Sequence, residues 1–452
     1  MMSNSHPHQS KGMTRRSFLR AVGTAGASAV LAACGGTSTT GAPGTGAGKE
    51  PITISLWTHD NLYAKFFTAR GEEWKQTKPE YDITFNFQQV PDVFTKVLAN
   101  LAAQIEVPDL LGIEQGAFPQ FMQDGIIAEK FVNLTPRLGD EINDLVPGSL
   151  TKYTYQGNLY GIESGLCASV LYYQPALLEK AGVDVPQTWE DAIPVGEALA
   201  KQGTSFLALD GGSWGIFTEL FWQHKGSFFD KDSNMVFNTP ENRQISLEVL
   251  DFLRTGLEKN FLKPFSSSDF WAPPIYASYK DGSVAGIVMP DWYSEAELKA
   301  SLPDMAGQWR IAKMPLWKNN SLSTSTWGGT GFAISKSSRN VDLVWDLLHY
   351  TYVTKESQIK RYEELKYFPT MKSALQDPRI KGVTDEFYGG QQIGKVFVEI
   401  APDVPEWYQS PARGPLLDAL NVELNHFYGN QITAEQTIDA VVASTKRNAQ
   451  YL

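Results

Sequence analysis

Short β-rich segments alternate with helical segments along the chain after residue 50. Residues 52–57, 81–90 and 108–113 are rich in β-branched and aromatic residues and predict strands, whereas residues 61–77 and 91–105 predict helices. Such an alternation predicts a parallel sheet with helices on both faces. Sheets of this kind bind ligands beyond the carboxyl ends of their strands, so the residues that follow each strand are the first candidates for a site.

The same alternation continues over the rest of the chain. Further strands are predicted at residues 205–210, 284–289 and 332–334, and further helices at 175–181, 189–202, 215–224, 241–256 and 341–353. The part beyond residue 369 is predicted to be mostly helical. A chain of 452 residues is too long for one hydrophobic core, so two domains are expected.

The first 49 residues have a different composition. Arg15 and Arg16 precede an apolar run of about thirteen residues, which is shorter than the roughly 20 that a membrane span needs. The pattern predicts a twin-arginine export signal over residues 1–33, and LAAC resembles a lipobox in which Cys34 carries lipid. An ordinary cleaved signal with an incidental cysteine is the alternative. Residues 34–49, rich in Gly, Ser and Thr, predict a flexible tether.

Charge and composition exclude several classes of function. A formal net charge of −11 argues against nucleic acid as a partner, and the six histidines show no paired ligand spacing, so we expect no metal and no cofactor. Cys167 is expected to be a small buried residue. The 12 tryptophans are unusual, and several lie beside Gly, Pro or Asp, where chains turn. Surfaces that hold a flat molecule are built in this way.

Five segments carry a resemblance to a known family. In chain order they are ITISLWTHD, PDLL followed by FMQDGIIAE, NLYGIESGLCASVLYYQPALLEKAGVDVPQTWEDAI, YKDGSVAGIVMPDW and STSTWGGTGFAISKSSRN. Together they resemble the extracellular solute-binding proteins of family 1, the maltose-binding-protein-like lipoproteins that serve ABC sugar importers. The resemblance implies an α/β, two-lobed periplasmic-binding-protein-like fold of type II. Each lobe would be a mainly parallel sheet flanked by helices, and hinge crossings would join the lobes.

The resemblance also implies how the chain divides. Lobe 1 would comprise residues 50–162 plus 331–366, and lobe 2 residues 167–326 plus 370–452. The crossings would lie near residues 162–166, 327–331 and 367–370. The sequence GGTG at residues 328–331 suits a hinge, because glycine absorbs large dihedral changes, but it suits a tight structural turn equally well.

The function implied by the resemblance is that of a substrate-binding lipoprotein of an ABC transporter. It would capture a sugar or oligosaccharide between the lobes and deliver it to the transmembrane subunits of a separate permease. We expect a monomer that is exported and anchored by lipid on Cys34 to the outer face of the cytoplasmic membrane. Which sugar is bound, how long it is, and whether it carries phosphate stay open at this point.

A sugar presents hydroxyls on its rim and C–H groups on its faces, so its site combines acids and amides with aromatic rings. The candidates for ligand binding lie at predicted strand ends, loops and crossings: Trp57, His59, Asp60, Glu114, Gln115, Glu163, Trp214, Asp291, Trp292, Trp327, Trp407 and Tyr408. At the positions of Asp60, Glu163, Trp292, Trp407 and Tyr408 the resemblance also implies a ligand contact. Other roles are open for several of them. Asp60 also suits a helix cap, Glu163 suits a structural ion pair, and each aromatic ring suits the core.

An enzyme is the alternative class. Gly211–Gly215 reads GGSWG and matches the nucleophile elbow G-x-S-x-G, with Ser213 as the nucleophile and His349 or His426 later in the chain. A secreted esterase would use this serine. A glycosidase would instead use two carboxylates. Neither has an HGGG-type segment or an assigned acid and base in this sequence.

Overall fold

Two five-stranded sheets form the framework of the protein. The computed structural model describes residues 50–319 and 321–449, and all of them belong to a single compact unit. The predicted leader, the tether and Cys34 lie outside the described residues. The strands are β1 (Pro51–Thr58), β2 (Asp82–Gln89), β3 (Leu110–Glu114), β4 (Thr154–Tyr155), β5 (Asn158–Leu159), β6 (Ile162–Glu163), β7 (Ser169–Tyr173), β8 (Ser205–Asp210), β9 (Leu262–Phe265), β10 (Val284–Pro290), β11 (Arg310–Ala312) and β12 (Thr330–Ile334).

Both sheets have one reversed strand. The first sheet has the order β2-β1-β3-β12-β6, in which β1 is parallel to β2 and β3, and β12 is antiparallel to β3 and β6. The second has the order β11-β7-β10-β8-β9, in which β8 is parallel to β9 and β10, and β7 is antiparallel to β10 and β11. Four of the five strands in each sheet therefore point the same way.

Helices cover the sheets. They are α1 (Asn61–Lys75), α2 (Val93–Ala102), α3 (Phe118–Met122), α4 (Ile126–Lys130), α5 (Thr135–Leu138), α6 (Pro147–Thr151), α7 (Pro175–Ala181), α8 (Trp189–Ala200), α9 (Gly215–Gln223), α10 (Pro240–Glu258), α11 (Ser267–Phe270), α12 (Pro273–Lys280), α13 (Val341–Tyr352), α14 (Lys355–Leu365), α15 (Lys372–Leu375), α16 (Pro378–Lys381), α17 (Ile393–Ile400), α18 (Arg413–Tyr428) and α19 (Ala434–Ala449). Helix α2 is shorter than predicted, because Gln104 just beyond it has a φ of 56° and the right-handed helix ends before it.

Side-chain caps explain where two of the helices begin. The Asp60 side chain accepts a hydrogen bond of 2.8 Å from the backbone N–H of Leu62, which caps α1. The Thr188 hydroxyl accepts from the N–H of Asp191 and caps α8 in the same way. Helix α1 then packs the buried rings Phe66 and Phe67 towards the first sheet. A second cluster, with Trp189, Phe221 and Phe252, fills the other half of the molecule.

Three segments run between the two sheets and bond to one another. The N–H of Ser164 donates to the carbonyl of Thr330 over 2.9 Å, and the N–H of Leu166 donates to the carbonyl of Phe368 over 3.0 Å. Ala168 forms a bridge with Thr326. The bounds predicted for the crossings, 162–166, 327–331 and 367–370, stay a prediction. The exact limits of the lobes stay a prediction, whereas the α/β fold with two lobes is confirmed.

Within residues 50–319 and 321–449, no helix is both long and apolar enough to cross a membrane. The same residues contain no group of three or more His, Cys, Asp or Glu side chains arranged to hold a metal ion.

Candidate functional site

A cavity of about 350 Å³ lies where strands of both sheets end beside the three crossing segments. Six of the twelve predicted ligand-binding residues line it: His59, Asp60, Glu114, Asp291, Trp292 and Trp327. The lining also contains residues outside that prediction: Tyr63, Ser164, Gly165, Cys167, Trp271, Ala296, Gly328, Gly329, Thr330, Arg361 and Tyr367. The cavity therefore joins residues that are up to about 300 positions apart in the chain.

The order of the strands explains why the acidic residues meet. Strands β1 and β3 are parallel neighbours, with Leu56 opposite Leu110 and Trp57 opposite Leu111. Because their carboxyl ends lie at one edge of the sheet, His59 and Asp60 after β1 come close to Glu114 at the end of β3. Strand β10 ends at Pro290 and is followed directly by Asp291 and Trp292. Two strand ends from different sheets thus supply opposite walls.

The acids in the cavity are held by backbone N–H groups. Asp291 is 3% exposed; its Oδ1 accepts from the N–H of Trp292 over 3.0 Å and its Oδ2 from the N–H of Phe368 over 3.1 Å. Burial raises the pKa of Asp291 to about 6, against these hydrogen bonds. Glu114 accepts from the N–H of Gly116 over 2.6 Å, and burial raises its pKa, opposed first by the charge of Arg413. Burial lowers the pKa of His59, opposed by Asp60.

Three tryptophans form one wall, which we call the indole corner: Trp271, Trp292 and Trp327. The Nε1–H of Trp292 donates to the carbonyl of Trp327 over 2.9 Å and fixes its ring. The ring of Trp271 is nearly parallel to that of Trp292, at 20° with centroids 6.3 Å apart, and stands at 76° to that of Trp327. Indole faces meeting at an angle cover the apolar face and one edge of a flat ring.

Trp327 packs against the start of helix α9. A Cβ atom on Gly215, the first residue of α9, would lie 2.5 Å from the Trp327 ring. Trp214 also contacts Trp327, with ring centroids 5.4 Å apart, and does not line the cavity. The outer edge of the Trp327 six-membered ring is thus held by protein while the residue lines the cavity.

Glu163 lies beneath the cavity in a buried ion pair. Its carboxylate is 2.8 Å from Nζ of Lys152, and the two side chains are 1% and 0% exposed. Oε1 also accepts from the N–H of Thr330 over 2.9 Å. Gly329 lies directly above with a φ of 112°, and a Cβ there would be 2.7 Å from both carboxylate oxygens. Glu163 supports the crossing segment at residues 327–331 and is not among the cavity-lining residues.

The remaining predicted residues are not brought into the cavity. Trp57 packs against Lys96, whose Nζ is 4.3 Å from its ring centroid. Gln115 is buried, and its carbonyl accepts from Gln409 and Arg413. Trp407 is 3% exposed because it stacks on Trp222 at 4.3 Å and 14°, and Tyr408 is half-buried beside it.

The two tyrosines and the arginine that sequence reasoning missed form the opposite end of the cavity. Arg361 is 1% exposed, and its Cζ lies 5.0 Å from the ring centroid of Tyr367 and 5.7 Å from that of Tyr352. Tyr63 lies on α1, and burial raises its pKa to about 12. These three residues lie in a helix or a crossing whose sequence is rich in polar residues and therefore predicts a solvent-exposed surface. Their position in the cavity becomes clear only from the fold.

Neither histidine proposed for the G-x-S-x-G match is paired with Ser213 in the described part of the chain. The Ser213 hydroxyl accepts from the N–H of Gly215 over 3.1 Å. His349 pairs with Glu141 and His426 with Glu423, each through a ring nitrogen. Because both histidines are engaged elsewhere, the esterase alternative has no support in the structure.

Comparison with known proteins places this fold and cavity in a class. The profile described as bacterial extracellular solute-binding protein matches residues 69–385. The chain is similar to an arabinooligosaccharide-binding protein of Bacillus subtilis, at 24% identity over 92% of this chain and 96% of that protein. It is also similar to a lactose-binding protein of Rhizobium radiobacter, at 23% identity over 78% of this chain and 82% of that protein.

Solved structures share the fold. A sugar-binding protein of Xanthomonas citri superposes with a TM-score of 0.73 at 16% identity, over 88% of this chain and 98% of that one. The galacto-N-biose/lacto-N-biose I-binding protein of Bifidobacterium longum gives a TM-score of 0.70 at 18% identity, over 88% and 97%. The two-lobed architecture and the cleft between strand ends define a solute-binding protein. The chain belongs to the bacterial extracellular solute-binding protein family, as the resemblance implied.

Proposed function

We propose that this protein is the substrate-binding component of an ABC importer and that it captures a carbohydrate in the cavity described above. The observation that carries the proposal is the pairing of the indole corner with acids at the opposite strand ends. Indole faces suit the C–H faces of a sugar, and carboxylates suit its hydroxyls. Relatives named for the binding of arabinooligosaccharides and lactose support the same class of ligand.

The path of the ligand follows from the architecture. Contacts on both sides of the cavity stabilise a closed form by the difference between the ligand's affinities for the closed and open forms. The three crossing segments at residues 162–166, 327–331 and 367–370 are the proposed hinge between lobes over 50–162 plus 331–366 and 167–326 plus 370–452. The closed monomer then docks on the transmembrane subunits of a separate permease.

The predicted leader supplies the location. A twin-arginine signal exports the chain, and lipid on Cys34 anchors it to the outer face of the cytoplasmic membrane, with residues 34–49 as a tether. Labelling of cells with a radioactive fatty acid tests the anchor. We expect label in the protein and none in a Cys34→Ser variant.

A calorimetric screen of the protein against neutral and acidic mono- and disaccharides tests the function. We expect saturable binding of at least one of them, with the sugar recovered chemically unchanged. Release of a cleaved product would instead support a glycosidase. A folded protein that binds no member of the panel would contradict the proposal.

A further inference from the structure

Arg361 is a buried arginine with neither an ion pair nor a carbonyl acceptor among the described residues. Arg70 and Arg413 are also buried, but Arg70 pairs with Glu364 over 2.7 Å and Arg413 donates to the carbonyl of Gln115 over 3.2 Å. Nε and Nη1 of Arg361 have no acceptor within residues 50–319 and 321–449. The charge of Asp291 and the Tyr352 hydroxyl act on Arg361, but no carboxylate of the described residues forms an ion pair with it. A buried guanidinium without an ion pair is costly, so this arginine requires an explanation.

The acids of the cavity do not supply the missing acceptor. Both oxygens of Asp291 already accept from backbone N–H groups, and Asp60 and Glu114 each accept one. The hydroxyl of Ser164 also lines the cavity and interacts with the Tyr63 hydroxyl. Both are neutral groups, so neither supplies the carboxylate that the guanidinium lacks.

Arg361 is buried by its neighbours and still lines the cavity. Tyr352 and Tyr367 lie beside the guanidinium, as described above. Gly165 lies at its nitrogens, where a Cβ atom would approach Nη1 to 3.0 Å and Nη2 to 3.1 Å. Gly165 and Arg361 both line the cavity. A group bound here therefore meets a charged N–H donor that has no acceptor in the protein, and a carboxylate is the acceptor that suits a guanidinium best.

We propose that the sugar is acidic: a uronate whose carboxylate is bound by Arg361 while the indole corner covers its ring. This inference rests on the proposed function. A neutral sugar leaves the guanidinium without an ion-pair partner. A phosphate, with up to two charges, is repelled more strongly than a carboxylate by Asp60, Glu114 and Asp291, because the interaction scales with charge.

Matched pairs of ligands test the proposal on the protein itself. Isothermal titration compares galacturonate- and glucuronate-containing disaccharides with the same disaccharides reduced to the neutral sugar at C6, and with glucose 6-phosphate. We expect the acid form to bind roughly 10- to 100-fold more tightly than its reduced partner, since hydrogen bonds to charged groups are involved. Equal or tighter binding of the reduced form overturns the inference, as does preference for the sugar phosphate.

Substitution at one position connects the preference to the residue. Arg361→Gln is expected to remove the difference in affinity between the acidic disaccharides and their reduced partners. Arg361→Lys is expected to retain part of that difference. Arg70→Gln, at a buried arginine outside the cavity, is the control and keeps the full difference. An acid preference that survives Arg361→Gln overturns the assignment. If Arg361→Gln does not fold, the ligand pairs on the unmodified protein still decide.

The two proposals fail differently. Binding of neutral sugars without binding of acidic ones leaves the carrier function standing and overturns the acidic ligand. Absence of binding to both sets counts against both.

Discussion

The three indoles of the cavity differ in how firmly they are held. Trp292 is fixed by its Nε1–H bond to Trp327 and is half-buried, whereas Trp271 is 38% exposed at the mouth. A ring that is already ordered loses little side-chain entropy when a ligand stacks on it. Trp292 therefore contributes more binding free energy per contact than Trp271.

Replacement of Trp292 by alanine is expected to weaken sugar binding by roughly 10- to 100-fold, because both ring burial and stacking are lost. Calorimetric titration measures the change. Trp345→Ala, at a half-buried indole outside the cavity, serves as the control and should bind normally. Equal losses in the two variants would contradict a role for Trp292 in the site.

A buried carboxyl on α9 makes stability depend on pH. Glu219 is 1% exposed; Oε1 accepts from the Ser169 hydroxyl, Oε2 has no partner among the described residues, and burial raises the pKa to about 8. The folded state thus holds the proton to a higher pH than the unfolded state does. Between about pH 4.5 and 8 the free energy of unfolding falls as pH rises, by about 1.4 kcal/mol per unit.

Glu219→Gln removes this titration. We expect its stability relative to the unmodified protein to improve steadily from pH 5 to pH 8 in urea unfolding. The Ser169→Ala variant, which removes only the hydrogen bond, should keep the pH slope. A constant difference across this range would mean that Glu219 does not titrate there.

At the level of single residues the sequence was a partial guide. His59, Asp60, Glu114 and Asp291 were predictable because they follow strands whose ends meet. Arg361 was not, since KESQIKRYEEL looks like a solvated helix until α14 is placed beside the crossings. Trp407 was predicted to contact ligand because it lies in a loop rich in proline. In the structure its ring stacks on Trp222 instead.

Among the elements, the crossing segment at residues 327–331 tolerates the fewest residue types. Gly329 combines a φ of 112°, which residues with a Cβ rarely adopt, with the carboxylate of Glu163 directly in the place of any side chain. The side chains of Glu163 and Lys152 are both buried, so the carboxylate cannot move aside without disturbing the ion pair. The segment therefore needs glycine for two separate reasons.

Gly329→Ala is expected to lower the free energy of unfolding by roughly 2–5 kcal/mol, from backbone strain plus disturbance of a buried ion pair. Gly307→Ala is the control, because Gly307 has a φ of 84° but a methyl group added there would meet no atom within 4 Å. The loss of unfolding free energy in Gly307→Ala therefore measures backbone strain alone. Urea unfolding of both variants separates the two contributions, and equal losses would remove any role for Glu163.

The strands and helices themselves were largely predictable. Helix α7 spans the predicted residues 175–181, and β8 the predicted residues 205–210. Local signals sufficed there because Pro175 begins α7 and Gly182 ends it, whereas β8 is a short apolar run that is buried on both faces. The pairing of β12 with β3 and β6 depends on contacts between residues about 200 positions apart, which no local pattern encodes.

Considered as a whole, the molecule is two sheet-centred halves connected by three short segments. Such an arrangement opens and closes about the connections. Small-angle scattering is expected to show a smaller radius of gyration at saturating sugar than without sugar. The Trp292→Ala variant at the same sugar concentration serves as the control. An unchanged radius at saturation, with binding verified by calorimetry, would contradict closure.

Trp327 gives the whole molecule a further property. Trp327 lines the cavity, and the outer edge of its ring lies against Gly215 at the start of α9, where one added methyl group would collide with it. Mutations outside the cavity therefore reshape the space in which the ligand fits. New substrate preferences in this lineage can evolve at positions that no ligand atom ever touches.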